Sequence, residues 1–273
     1  MPCATVFRLV ASACLEDVKT HHRGARNGDQ VAVHQTRVAL TRLRAAIAFF
    51  APMVEDSEWT RLKAELKWLN GYLGATRDLD VAIENAPRER LFRTARVESQ
   101  RQLRRALASD RYRRWFKDMV DWVNHGPWSH MSDRGLVRLR ASPASEYHAR
   151  QLAGWHKKLV EKSRGLTEMG GRKQHRVRLA SKRLRYAIEF SEDVLPKDDF
   201  APWRAIVKQL RKAQQILGEL NDAEAARALV AELQQRTKTT SAGHPRKPLA
   251  LPGGKEKSRL LRRAAAAYRK IAS

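Results

Sequence analysis

Cysteine is scarce in this chain: Cys3 and Cys14 are the only two in 273 residues. Neither their number nor their spacing suits a disulfide frame or a zinc site. Long apolar runs are missing too. No stretch reaches the roughly 18 consecutive apolar residues that a membrane span needs, so no membrane insertion is expected. From Met1 to Lys19 there is no basic segment leading into a clean apolar run, because Arg8, Glu16 and Asp17 interrupt it, and a signal peptide is not expected. A cytoplasmic protein with reduced thiols follows as the default. Catalytic signatures are equally absent. No Walker loop, carboxylate cluster or activated nucleophile is apparent, so neither an enzyme nor a cofactor is expected. There is no zinc finger, paired aromatic RNA-binding motif or leucine zipper either.

Acid is the other shortage. Asp and Glu total 29 against 54 Lys and Arg, a formal charge of +25. Self-repulsion on that scale opposes compactness, and three partners suit such a field: nucleic acid, an anionic membrane surface or a phosphate polymer.

What is present is helical periodicity. Apolar residues recur at three- and four-residue spacing almost throughout, with no convincing period-two alternation. The pattern predicts helices at about 4–23, 30–51, 57–73, 79–108 and 110–124, then 144–165, 172–193, 200–217, 221–237 and 257–271, with boundaries good to about two to four residues. The stretch from Asn124 to Ser145 holds Gly126, Pro127, Gly135 and Pro143 and reads as an irregular connection. Residues 237–257 are rich in Gly and Pro and read as a flexible loop. The basic amphipathic stretch at the C-terminus reads as a helix closing the second half, with a membrane contact as the lesser alternative.

The two halves, about 1–130 and 140–273, repeat one another within a single domain. VHQTRVALTRLRAAIAFF (33–50) matches QHRVRLASKRLRYAIEF (174–190). His34 falls on His175, Arg37 on Arg178, Arg42 on Arg183, Leu43 on Leu184 and Arg44 on Arg185. Further on, LGATRDLD (73–80) matches LGELNDAE (217–224), pairing Gly74 with Gly218, Asp78 with Asp222 and Asp80 with Glu224. Trp59 and Trp203 stand at equal distances before those glycines, as do Lys67 and Arg211.

At about 100° per residue, His34, Arg37, Thr41 and Arg44 form one stripe, while Ala39, Leu40, Leu43 and Ile47 lie opposite and Arg42 sits on the flank. In the second copy His175, Arg178, Lys182 and Arg185 form the stripe, with Ala180, Leu184 and Ile188 opposite. A solvated helix face is the ordinary reading of a charged stripe. Such a face, however, mixes signs to gain pairs one turn apart, whereas residues 31–50 carry Arg37, Arg42 and Arg44 and no acid. An unpaired arginine row is better tolerated beside an anion, and the planar guanidinium fork suits phosphate oxygens.

The pattern H-x-x-R-x-x-x-x-R-x-R followed by LGxxxD resembles the CHAD domain, the conserved-histidine α-helical domain, over about Phe7 to Lys270. That resemblance implies an all-α fold of two four-helix bundles related by a pseudo-two-fold axis, with a basic groove or channel between them. It also implies binding of inorganic polyphosphate and association with polyphosphate granules. Carried over by position, the binding residues are His34, Arg37, Arg42 and Arg44 with His175, Arg178, Lys182, Arg183 and Arg185. Lys67 and Arg211 follow from the repeated third helix, with Lys63 and Lys208 beside them. Where the family often has a further base, this chain has Thr41, which implies a weaker grip by the first stripe. The ExExK signature of the CYTH triphosphatases, to which CHAD domains are sometimes fused, is absent.

Several residues admit two readings. His34 and His175 either donate to phosphate or are satisfied at a bundle interface. Gly74 and Gly218 read as left-handed helix ends, with Asp78 and Asp222 capping the next helix. The alternative is that each Asp orients an arginine of the basic row. Trp59, Trp68, Trp115, Trp122 and Trp155 fit core positions better than base-stacking ones. For the whole protein, non-catalytic polyphosphate binding leads, and a nucleic-acid-binding or nucleoid-associated protein is the alternative.

Overall fold

A computed structural model describes residues 1–85, 90–238 and 253–272, and among them there are eleven α-helices and no strand. They are α1 (Cys3–Asn27), α2 (Gln30–Phe49), α3 (Ala51–Val54), α4 (Ser57–Asn85), α5 (Arg90–Ala108), α6 (Asp110–His125), α7 (Arg134–Ala141), α8 (Ala144–Ser163), α9 (Gly171–Ser191), α10 (Lys197–Lys238) and α11 (Gly254–Ala272).

Local chemistry sets the turns. Gly28, at φ 94°, ends α1 in the left-handed region that only glycine enters freely. Asp29 then caps α2 by accepting from the backbone N–H groups of Val31 at 2.8 Å and Ala32 at 3.1 Å. Asp56 ties three elements together: it accepts from the Trp59 N–H (2.7 Å), from Trp122 Nε1 and from the Trp128 N–H (3.1 Å).

Packing follows one scheme twice. In the first half α1 meets α2, α2 meets α4, α4 meets α5 and α5 returns to α1. In the second half α8, α9, α10 and α11 close the same ring. Contacts between the rings pair repeat-equivalent helices: α1 with α8, α2 with α9 and α4 with α10. The N-terminus is stitched to the start of α8, with Cys3 N–H donating to Ser142 O (3.0 Å) and Ala144 N–H to Met1 O (2.9 Å). Trp59, Trp115 and Trp122 are buried as expected of core anchors, while Trp68 and Trp155 are partly buried against the core. Trp128 is buried as well, beside Phe7. The apolar side of α11 is buried through Leu260, Leu261, Ala264, Ala267, Tyr268 and Ile271, and α11 packs on α10 and α8.

Three expectations need correction. No helix ends at Gly74 or Gly218: α4 and α10 run straight through both. Leu62, Leu66, Leu69, Leu73, Thr76, Asp80 and Ala82 keep a continuous buried side on α4, and Leu210, Ala213, Leu217 and Leu220 do the same on α10. That burial outweighs the roughly 1 kcal/mol cost of an interior glycine. The stretch expected to be helical over 79–108 is instead divided, α4 ending at Asn85 and α5 beginning at Arg90. The connection at 124–145, expected to be irregular, contains α7, capped by Asp133, whose carboxylate accepts from the Leu136 N–H at 3.0 Å. The loop expected at 237–257 lies mostly outside the described residues, with α10 reaching Lys238 and α11 starting at Gly254.

Candidate functional site

α2 and α9 meet toward their C-terminal ends, where Ala45 and Ala46 pack with Tyr186 and Phe190. Upstream of that contact the two basic stripes turn toward each other. Arg37 of α2 stands close enough to act on both Arg178 and Lys182 of α9, and Lys182 acts in turn on His34. Burial, then Arg178, Arg37 and Arg185, pushes the Lys182 ammonium down to about 8, with Asp222 partly opposing. Burial first and Arg37 after the opposing Asp222 also lower Arg178, whose Nε is buried with no hydrogen-bond partner. His34 is held below its ordinary value by burial, then by Arg77, Arg37 and Lys182, so in the free protein it favours the neutral ring. His34 and Arg37 of α2 and Arg178 and Lys182 of α9 thus share one electropositive region.

The uninterrupted α4 and α10 supply its polar floor. Asp78 accepts from Arg37 Nη1 at 3.3 Å, and the same nitrogen lies 3.5 Å from the Gly74 carbonyl. Asp222 occupies the matching place near Arg178. These aspartates lie within helices rather than at their starts, so they cap nothing; Asp78 holds Arg37 directly, while Asp222 acts on Arg178 through its charge. A Cβ on Gly74 would meet nothing within 4 Å, and one on Gly218 would meet only Arg178 Nη2 at 3.9 Å. Both glycines therefore border open space beside the row. His175 Nδ1 donates to Asn221 Oδ1 at 3.0 Å, and a shallow pocket lined by His175, Arg178, Asn221 and Glu224 opens there.

A family model described as the CHAD domain matches residues 9–231. The chain belongs to the CHAD domain family. Among solved structures this CHAD domain is similar to the CHAD domain from the plant Ricinus communis, at 24% identity and a TM-score of 0.76, covering 99% of this chain and 88% of that one. It is also similar to PptA from Streptomyces chartreusis, at 18% identity and a TM-score of 0.63, covering 99% of this chain and 95% of that one. Both likenesses concern the fold. No curated protein matches the chain.

The remaining expected site residues of the CHAD domain fall into three groups. Arg185 is half-buried, donating through Nε to Gln214 (2.9 Å) and through Nη1 to Glu189 (2.6 Å), with its guanidinium over Tyr186. Arg211 reaches the same Glu189 oxygen at 3.3 Å. Arg44, Lys63, Lys67, Arg183 and Lys208 are exposed along the same helices. Arg42 is not brought to the cluster. It pairs with Asp17 of α1 at 3.3 Å and lies over the Phe190 ring at 5.9 Å, which makes it a tie between α1, α2 and α9.

Sequence reasoning passed over Arg77, Asn221, Gln214 and Glu189. The repeat held a signal for the first two: Arg77 and Asn221 are equivalent positions, each immediately before an aspartate the repeat had marked. Among the described residues no helix is long and apolar enough to cross a membrane.

Proposed function

We propose that this CHAD domain binds inorganic polyphosphate, without catalysis, along the cations of α2 and α9. The observation that carries the reading is the approach of Arg37 to Arg178 and Lys182 across the α2–α9 junction, with one guanidinium nitrogen left buried and unpartnered. Cations crowded in a half-buried place repel one another, and a chain with about one charge per phosphate offsets that repulsion along its length. Guanidinium forks hold phosphate oxygens in pairs, while Lys182 contributes a compact charge. Membership of the CHAD family supports the same ligand, and association with polyphosphate granules would follow from it.

Filter binding of labelled polyphosphate across a salt series tests this. Affinity is expected to fall steeply with salt as released counterions lose their advantage. Changing Arg37, Arg44, Arg178 and Arg185 together to Glu is expected to lower affinity by orders of magnitude while the far-ultraviolet helical signal survives. Unchanged affinity in that variant would refute the placement. Equal affinity for duplex DNA of matched charge would favour a nucleic-acid-binding protein.

A further inference from the structure

The two copies of the basic stripe are not equally free, and one carboxylate makes the difference. Glu189 is the only acid in the second-copy segment 174–190, and it sits one helical turn after Arg185. Its Oε1 accepts from Arg185 Nη1 at 2.6 Å and from Arg211 Nη2 at 3.3 Å, joining α9 to α10. With Nε already donated to Gln214, Arg185 has two of its three donor nitrogens committed inside the protein. In the first copy the place of Glu189 is taken by Ala48, and the bases corresponding to Arg185 and Arg211 are Arg44 and Lys67. Both are exposed, and no ion pair with an acid engages either one among the described residues.

We propose that Glu189 is an internal competitor for the anion, so that the polymer is gripped chiefly at the Arg44–Lys67 end. The Arg185–Arg211 end engages only when phosphate displaces the Glu189 carboxylate. Glu189 is a specificity-determining residue in this sense: it makes two repeat-related subsites unequal and gives the bound chain a strong end and a weak one. The relation is the reverse of the weaker first stripe that Thr41 implied. The inference rests on the polyphosphate reading and assigns a regulator within it.

The test is a double-mutant comparison with defined-length polyphosphate, read as affinity and as the slope of affinity against salt. In the parent protein, changing Arg44 and Lys67 to Glu is expected to cost several-fold more affinity than changing Arg185 and Arg211 to Glu. In a Glu189→Gln background, which keeps side-chain size and hydrogen bonding, the two costs are expected to become equal. Affinity there should rise on the order of five-fold at low salt, the range of a partly exposed ion pair, and the salt slope should steepen by about one. Ala48→Glu places an acid in the first copy and is expected to lower affinity, so the idea can be checked without relying on Glu189→Gln folding. If Glu189→Gln binds more weakly, the carboxylate orients Arg185 for phosphate and the inference is overturned; equal costs in the parent protein overturn it too. Absence of binding by the parent protein would instead remove the polyphosphate reading, and this inference with it.

Discussion

Lys182 shows how a binding residue is set against the stability of the fold that holds it. Its ammonium is half-buried among Arg178, Arg37 and Arg185, and it titrates at about 8 rather than at its ordinary 10.5. Between those values the unfolded chain keeps a proton that the folded chain has lost, so this group makes folding more favourable as pH rises from about 8 to 10.5. Below pH 8 its charge opposes folding. Lys182→Met is accordingly expected to raise the melting temperature at pH 7, and to flatten its rise between pH 8 and 10.5, while weakening polyphosphate binding. A bound polyanion reverses the sign by favouring the charged ammonium. Affinity of the parent protein is therefore expected to fall as pH climbs through 8, with proton uptake on binding, which calorimetry in buffers of different ionisation enthalpy would detect. A melting temperature unchanged by Lys182→Met would show that the ammonium is not a strained group.

At the scale of elements, the long helices α4 and α10 decide the character of the floor. Had α4 ended at Gly74, the residue would have needed a left-handed backbone, and alanine there would be strained. Within a continuous helix, facing space in which a Cβ touches nothing within 4 Å, Gly74→Ala should instead stabilise by about 0.5–1 kcal/mol through reduced backbone entropy of the unfolded chain. Urea denaturation distinguishes the two signs. Gly126 provides the contrast: a Cβ there would lie 2.5 Å from the Trp122 carbonyl oxygen, a contact that backbone cannot relieve cheaply. The repeat also carries its own inter-helix ties. Asp80, fully buried, accepts from Arg96 of α5 at 2.5 Å, and its counterpart Glu224 accepts from Lys257 of α11 at 2.7 Å. Each pair holds the third helix of a half to the last one. The matched segments 73–80 and 217–224 contain these acids but not their partners, Arg96 and Lys257, which lie on α5 and α11 outside the match.

For the molecule as a whole, a charge of +25 is a standing repulsion that a polyanion would relieve. Saturating polyphosphate, at about 100 times its dissociation constant, is expected to stabilise the fold by about 2.7 kcal/mol, read as a rise in melting temperature that high salt abolishes. A rise that persists in high salt would mean that the ligand is held by something other than its charge. The helical class, the duplication and the two basic stripes were legible in the residues themselves, because periodicity and repetition are local properties of a chain. What needed tertiary structure was the destination of each charge. Arg42 belongs to the same motif as Arg37, yet it is drawn to Asp17 and Phe190, whereas Arg37 is turned to Asp78 and to the facing cations of α9. The linear sequence contains both arginines on one helix. Only the placement of α1, α4 and α9 around α2 gives Arg42 an acid and a ring but gives Arg37 an acid and its own counterpart Arg178, since those meetings depend on helix placement over distances that spacing along the chain does not encode.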